Sequence, residues 1–209
     1  MAGFKPRKLL WEEIRGKAEE FRRKYVHPHN LIPIPIEEIL EFDLGIIPWP
    51  KKGLLQEIDV DGFLSNDLKY LFVDADIYDD PRQESRLRFT YAHEIGHLVL
   101  HKEEIQSCEF RTEEDWIHFR EEMSEDDLFW FEQQAYEFAG RLLVPLDQLK
   151  LELKNKRDKI KLFRDTYGRD DDDLLIQAIS RVICGQFGVS EGVIRRRIKS
   201  EKIWLEIIS

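Results

Sequence analysis

The sequence predicts an α+β fold, mainly helical, with a small β-sheet and a helix-turn-helix-like segment toward the end of the chain. Three observations predict it. Segments 8–26, 79–102, 125–143 and 146–165 carry helical patterns. Residues 54–64 and 69–74 read as two strands joined by the turn formers Ser65-Asn66-Asp67. The 209 residues, 42% hydrophobic and 35% charged, describe a globular chain able to bury one sizeable core.

The first helix covers residues 8–26, where Leu9, Leu10, Ile14, Ala18, Phe21 and Tyr25 fall near one stripe. His27 to Pro35 is a proline-stiffened connection. A short helix follows over Ile36 to Phe42, stopped around Gly45, and then a short strand over Ile46 to Trp49 that Pro48 confines to a sheet edge. After the two central strands, Asp79-Asp80-Pro81 opens a helix that runs to about Lys102. The acidic stretch 103–126, with Trp116, His118 and Phe119, lacks periodicity and reads as a loop or lid with partial helix. Glu125 to Leu143 is a strong helix ended by Val144-Pro145, and a lysine-rich helix follows over 146–165. An acidic break at Gly168 to Asp173 precedes a helix, turn and helix over Leu174 to Ile198. The expected division is 1–145 and 146–209.

The net charge of −10 is uneven: six Lys and Arg against three acids give residues 174–209 a net of +3, leaving −13 for the rest. A general nucleic-acid binder is thereby disfavoured, although the tail offers arginines. No apolar run approaches the roughly 18 residues of a membrane span. Glu12 and Glu13 interrupt any signal-peptide core, and Cys108 and Cys184 are far apart, each read as a plain thiol. The expected compartment is the cytoplasm.

His93-Glu94-Ile95-Gly96-His97 is the chemical centre of the sequence. Residues i and i+4 stack on one helical face, so the two histidines can offer two nitrogens to one tetrahedral Zn2+. The glutamate beside the first can deprotonate a water that attacks a peptide carbonyl, as in HExxH metallopeptidases. Composition alone would produce about 0.02 such matches in this chain. Its helix is apolar on the way out, Leu98-Val99-Leu100, which suits a buried site.

A catalytic zinc usually takes a third protein ligand. The HExxHxxGxxH pattern fails here, because Leu100 and Glu103 occupy its glycine and third-histidine positions. His101 continues the stripe and is expected behind the site, or in packing. The better source is the downstream helix, where Glu132 flanks a buried stripe of Phe131, Ala135, Phe138, Ala139 and Leu142.

Two blocks in order give the chain a resemblance to the ImmA/IrrE zinc metallopeptidases. Arg88-Phe-Thr-Tyr-Ala-His-Glu-Ile-Gly-His-Leu-Val-Leu-His101 is similar to that family's RFTxAHExGHxxLH block. Glu132-x-x-Ala135-x-x-Phe138-Ala139-x-x-Leu142-Leu143-x-Pro145 is similar to its ExxAxxFAxxLLxP block. The resemblance implies a zincin-like minimal core, with His93, His97 and Glu132 as zinc ligands and Glu94 as the base. It also implies a protein substrate of regulatory kind, a helix-turn-helix repressor or an antitoxin. One departure is Tyr136, where the family has Asn or Asp; its phenol suits packing or an oxyanion contact. His101 and His118 are further oxyanion candidates, and the hairpin at 54–74 is the expected edge for docking a substrate strand.

The tail resembles a segment common in the same family: Phe187-x-Val189-Ser190 at a turn, with an arginine followed by a hydrophobic residue one helix later. Ser190 is the expected N-cap, and Arg195, Arg196 and Arg197 are candidate contacts for a partner protein or, less favoured, nucleic acid. The alternative reading of the whole chain is a DNA-binding regulator whose metal site is structural or sensory.

Overall fold

The computed structural model describes residues 5–107, 113–167 and 172–208. Cys108 and positions 168–171 of the acidic break lie outside the described residues. Helix α1 (Trp11–Tyr25) starts where Glu13 accepts a hydrogen bond from the Leu10 N–H at 2.8 Å, and it buries Ile14, Ala18 and Phe21. Helix α2 (Ile36–Glu38) runs on into a π-helical turn, Ile39–Asp43.

Three strands form one sheet in the order β1-β3-β2: β1 (Ile47–Lys51), β2 (Gly62–Leu64) and β3 (Tyr70–Asp74). The parallel β1 sits at an edge, as Pro48 and Pro50 require. β2 runs antiparallel to β3, with Phe63 opposite Phe72. The first half of the expected strand 54–64 is instead helix α3 (Leu54–Ile58). Gly53, at φ +90°, turns the chain into it, and the Asp74 carboxylate accepts from the Leu55 N–H at 2.9 Å, as a helix cap does. Helix α4 (Ala75–Asp79) and a 3-10 turn (Pro81–Gln83) lead into α5 (Glu84–Leu100).

The expected loop at 103–126 is largely helical, as α6 (Lys102–Ser107) and α7 (Glu113–Glu122). Its apolar residues are few because they serve a small separate cluster, where Ile105, Trp116 and Met123 pack with Leu54, Val60, Phe63 and Phe131. Helix α8 (Glu125–Leu143) is capped by Ser124, whose side chain accepts from the Asp127 N–H at 3.1 Å. The chain continues through α9 (Leu146–Asn155), α10 (Arg157–Tyr167), α11 (Asp172–Phe187), α12 (Glu191–Ser200) and α13 (Trp204–Ile208). Ser190 adopts the extended N-cap conformation ahead of α12, but its side chain makes no capping bond.

The main core is continuous from α1, α5 and α8 into α9 and α11 to α13. Ile95, Phe138, Leu142, Ile183 and Ile198 are fully buried, each stabilising by roughly 1.5–3 kcal/mol. Helices α5 and α8 approach closely at Gly96, where a Cβ would lie 3.1 Å from the backbone of Ala135. Leu9 N–H donates to the buried Gln134 side chain at 2.8 Å and ties the start of the chain to α8. Among the described residues, no helix is long and apolar enough to cross a membrane.

Candidate metal centre

The close packing of α5 on α8 turns His93, Glu94 and His97 toward Glu132 and Tyr136, one helical turn apart on α8. They line a cleft of about 310 Å³ together with Gly62 and Leu64 of β2 and Trp116 and Arg120 of α7. The outer side of β2 thus borders the cleft while its other side pairs with β3.

His93 Nε2 lies 3.0 Å from His97 Nε2 and 3.1 Å from Glu132 Oε2, and His97 Nε2 is 3.9 Å from the same oxygen. Tetrahedral zinc with nitrogen and oxygen ligands at about 2.0–2.1 Å sets those ligands about 3.3–3.4 Å apart. The three spacings bracket that value. Protons alone do not satisfy the group: an N–H on His93 Nε2 can donate to Glu132, but then has no lone pair for His97. A cation at the meeting point satisfies all three atoms, so the donor set fits a metal ion. Glu94 belongs to the same cluster, with ligand-type atoms of His93, Glu94 and His97 within 4.8 Å of one another.

The electrostatics divide the roles. Burial pushes the Glu94 carboxyl up to about 8, partly offset by His93. Burial also lowers His97 to about 4, which leaves it neutral and able to ligate at pH 7. For Glu132, burial pushes upward, but hydrogen bonds from His93 and His97 outweigh it and hold the carboxylate well below its usual range. Burial pulls His93 down, yet the Glu132 hydrogen bond and charge raise it overall. Glu94 Oε2 accepts from the Leu64 N–H at 3.2 Å, which fixes this carboxylate on β2.

His101 lies behind the cluster, fully buried, with Nδ1 at 3.1 Å from His97 Nδ1. Were His97 Nε2 to ligate a cation, its proton would sit on Nδ1 and donate to His101 Nδ1. Phe131 stacks on the His97 ring at a centroid distance of 4.1 Å and holds its plane. Residues 57–199 match the family model described as Peptidase_M78, IrrE N-terminal-like domain. The chain belongs to this family. No curated protein matches the chain. Peptidase_M78 membership supports a metallopeptidase-type function, and the His93, Glu94 and His97 cluster suits a metal ion.

In this Peptidase_M78 chain the structure gathers His93, Glu94, His97, Glu132 and Tyr136 around one cleft and leaves the other candidates elsewhere. His101 is shut behind His97 and cannot reach a substrate oxyanion. His118 points away, its side chain 77% exposed and 3.7 Å from Glu121, so its reading as an oxyanion donor is corrected. The Tyr136 ring packs edge-on to His93 at 4.9 Å, and burial raises its phenol, which stays protonated at neutral pH.

Arg195 and Arg196 are exposed, but Arg197 is 3% exposed, which corrects its reading as a partner contact. It pairs with Glu201 at 2.7 Å and lies 3.9 Å from Glu137, locking α12 to α8. Sequence reasoning missed Arg120, whose guanidinium sits 3.9 Å from Glu132 Oε1 and 4.9 Å from the Trp116 ring centre. The spacing of Trp116, Phe119 and Arg120 was its only signal, blurred by the surrounding acids.

Proposed function

We propose that this protein is a zinc-dependent endopeptidase with His93, His97 and Glu132 as metal ligands and Glu94 as general base. Its substrate is a regulatory protein of the cytoplasm, such as a helix-turn-helix repressor or an antitoxin. The observation that carries the reading is the convergence of two imidazole nitrogens and one carboxylate oxygen within 3.0–3.9 Å beside Glu94. Zinc bound there supplies a water acidified toward pH 7 and polarises the peptide carbonyl.

Beside a cation held by His93, His97 and Glu132 the ionised form of Glu94 is favoured against its burial, and the carboxylate then accepts the proton of the attacking water and returns it to the leaving amine. Its hydrogen bond from Leu64 couples its position to the strand that borders the cleft. The substrate backbone adds along β2, the free edge of the hairpin. Tyr136 donates its phenolic proton to the carbonyl oxygen as charge develops there. Residues 1–145 carry this machinery, and 146–209 form a helical region packed against it.

The Glu94→Gln variant tests the mechanism against candidate repressors encoded nearby. It should keep about one zinc per chain and lose cleavage by roughly 10²–10⁴-fold. Cleavage at the normal rate in that variant, or undiminished cleavage in chelator, sinks the reading.

A further inference from the structure

A second cleft, of about 1080 Å³, lies between α12 and the α5–α8 pair. It continues the first, sharing Asp61, Arg86, Phe89 and Tyr136 with it. Its cationic side chains fall into two groups. Arg86 is held bidentately by Asp61 at 2.8 and 2.7 Å, Lys199 pairs with Asp173 at 2.7 Å, and Arg197 is buried against Glu201. Arg195 and Arg196 are exposed. The charge of Arg195 reaches the carboxylates of Asp173 and Glu191 and Arg196 lies over the Tyr136 ring, but among the described residues neither makes an ion pair within 4 Å.

Arg196 is the better placed of the two. Its guanidinium lies 5.6 Å from the centre of the Tyr136 ring, and the His93 ring lies 4.9 Å from that same ring. These two steps put the guanidinium within about three residues of extended peptide, at roughly 3.3 Å each, from the metal ligands. One helical turn before Arg196 the cleft wall is open, since a Cβ built on Gly192 would meet only Ser190 Oγ, at 3.7 Å. The planar forks of these guanidinium groups match a carboxylate. Duplex DNA fits less well: Arg196 faces across a concave cleft to α8 rather than standing proud on a helix able to enter a groove.

We propose that Arg196, assisted by Arg195, forms a specificity subsite for an aspartate or glutamate side chain of the substrate, within about three residues of the scissile bond. The proposal rests on the peptidase reading for its substrate. Its test separates the two. Zinc-loaded full chain carrying Glu94→Gln is titrated with fluorescent decapeptides of Ala, Leu and Phe that contain one Glu-Glu pair, and with their Gln-Gln twins.

The acidic peptides should bind about tenfold more tightly in low salt, and adding Arg196→Glu should shrink that ratio below twofold. Equal binding, or none, overturns the subsite, as does a 20-base-pair DNA duplex that displaces the acidic peptide and binds more tightly. The wild-type chain then reports the chemistry. Cleavage of both twins at one rate removes the subsite and leaves the peptidase intact. An Arg196-dependent binding preference keeps the acidic subsite whether or not the decapeptides are cut, and the repressor assay with Glu94→Gln decides the peptidase separately.

Discussion

Helix α8 buries charge on two of its faces, and the two sites are built differently. On one, Glu132 meets His93 and His97, with Nε2 of both imidazoles and one carboxylate oxygen turned to a single point. On the other, Glu137 and Arg141 meet Arg197 and Glu201, and every charge has an opposite one within 4 Å. The second network pairs its charges within the protein, although Arg141 Nε makes no hydrogen bond, and it holds α12 in place. The first has acceptor atoms crowded at one point, an arrangement that a cation completes. Burial by itself therefore does not mark a functional site; the convergence of several metal-ligating atoms on one point does.

The largest effect on this contrast comes from opening the closed network. Arg197→Met leaves Glu137 and Glu201 short of a cation, and chemical unfolding should show a loss of about 3–5 kcal/mol. A loss under 1 kcal/mol would mean that the network is not structural. Next is Glu132→Ala, which removes a proposed ligand and should weaken zinc affinity, read by competition with a chromophoric chelator, by more than about 100-fold. Unchanged affinity would exclude Glu132 from the metal shell. His101→Ala acts one atom further out, through His97, and should weaken zinc by about 10–100-fold.

A pH series sharpens the comparison further. In zinc-free protein, Glu94 titrates near 8 rather than its ordinary 4.5, so between those values the folded chain binds more protons than the unfolded one. Its contribution to stability therefore falls as pH rises through that window. The melting temperature of wild type minus that of Glu94→Gln, both in chelator, should decline from pH 4.5 to 8, and a flat difference refutes the buried carboxylic acid. The smallest effect belongs to an exposed pair. Arg181→Ala breaks the contact with Glu191 and should leave the melting temperature unmoved.

Helices with a one-sided apolar stripe were legible in the sequence, as α1 and α8 illustrate, and so was the edge position of β1 from its prolines. α3 was not, because Leu54-Leu55 before Ile58 suits a strand or a helix equally and a carboxylate 19 residues away decides between them. Helix α7 escaped for another reason: its apolar residues serve a local cluster with β2 and α8, so too few of them lie on one stripe to stand out among the acids.

By itself the sequence determined the helical spacing of His93, Glu94 and His97, because 3.6 residues per turn make i and i+4 neighbours whatever surrounds them. It also marked Glu132 through the second block, without a distance. Only the tertiary structure decided that Gly96 lets α8 come close enough to bring Glu132 Oε2 within 3.1 Å of His93, that His101 stands behind the site, and that Arg197 is buried while Arg196 faces a cleft. Those outcomes depend on how two helices pack and on which face each residue turns inward, and contacts between positions 39 or 60 residues apart leave no periodic trace in the chain.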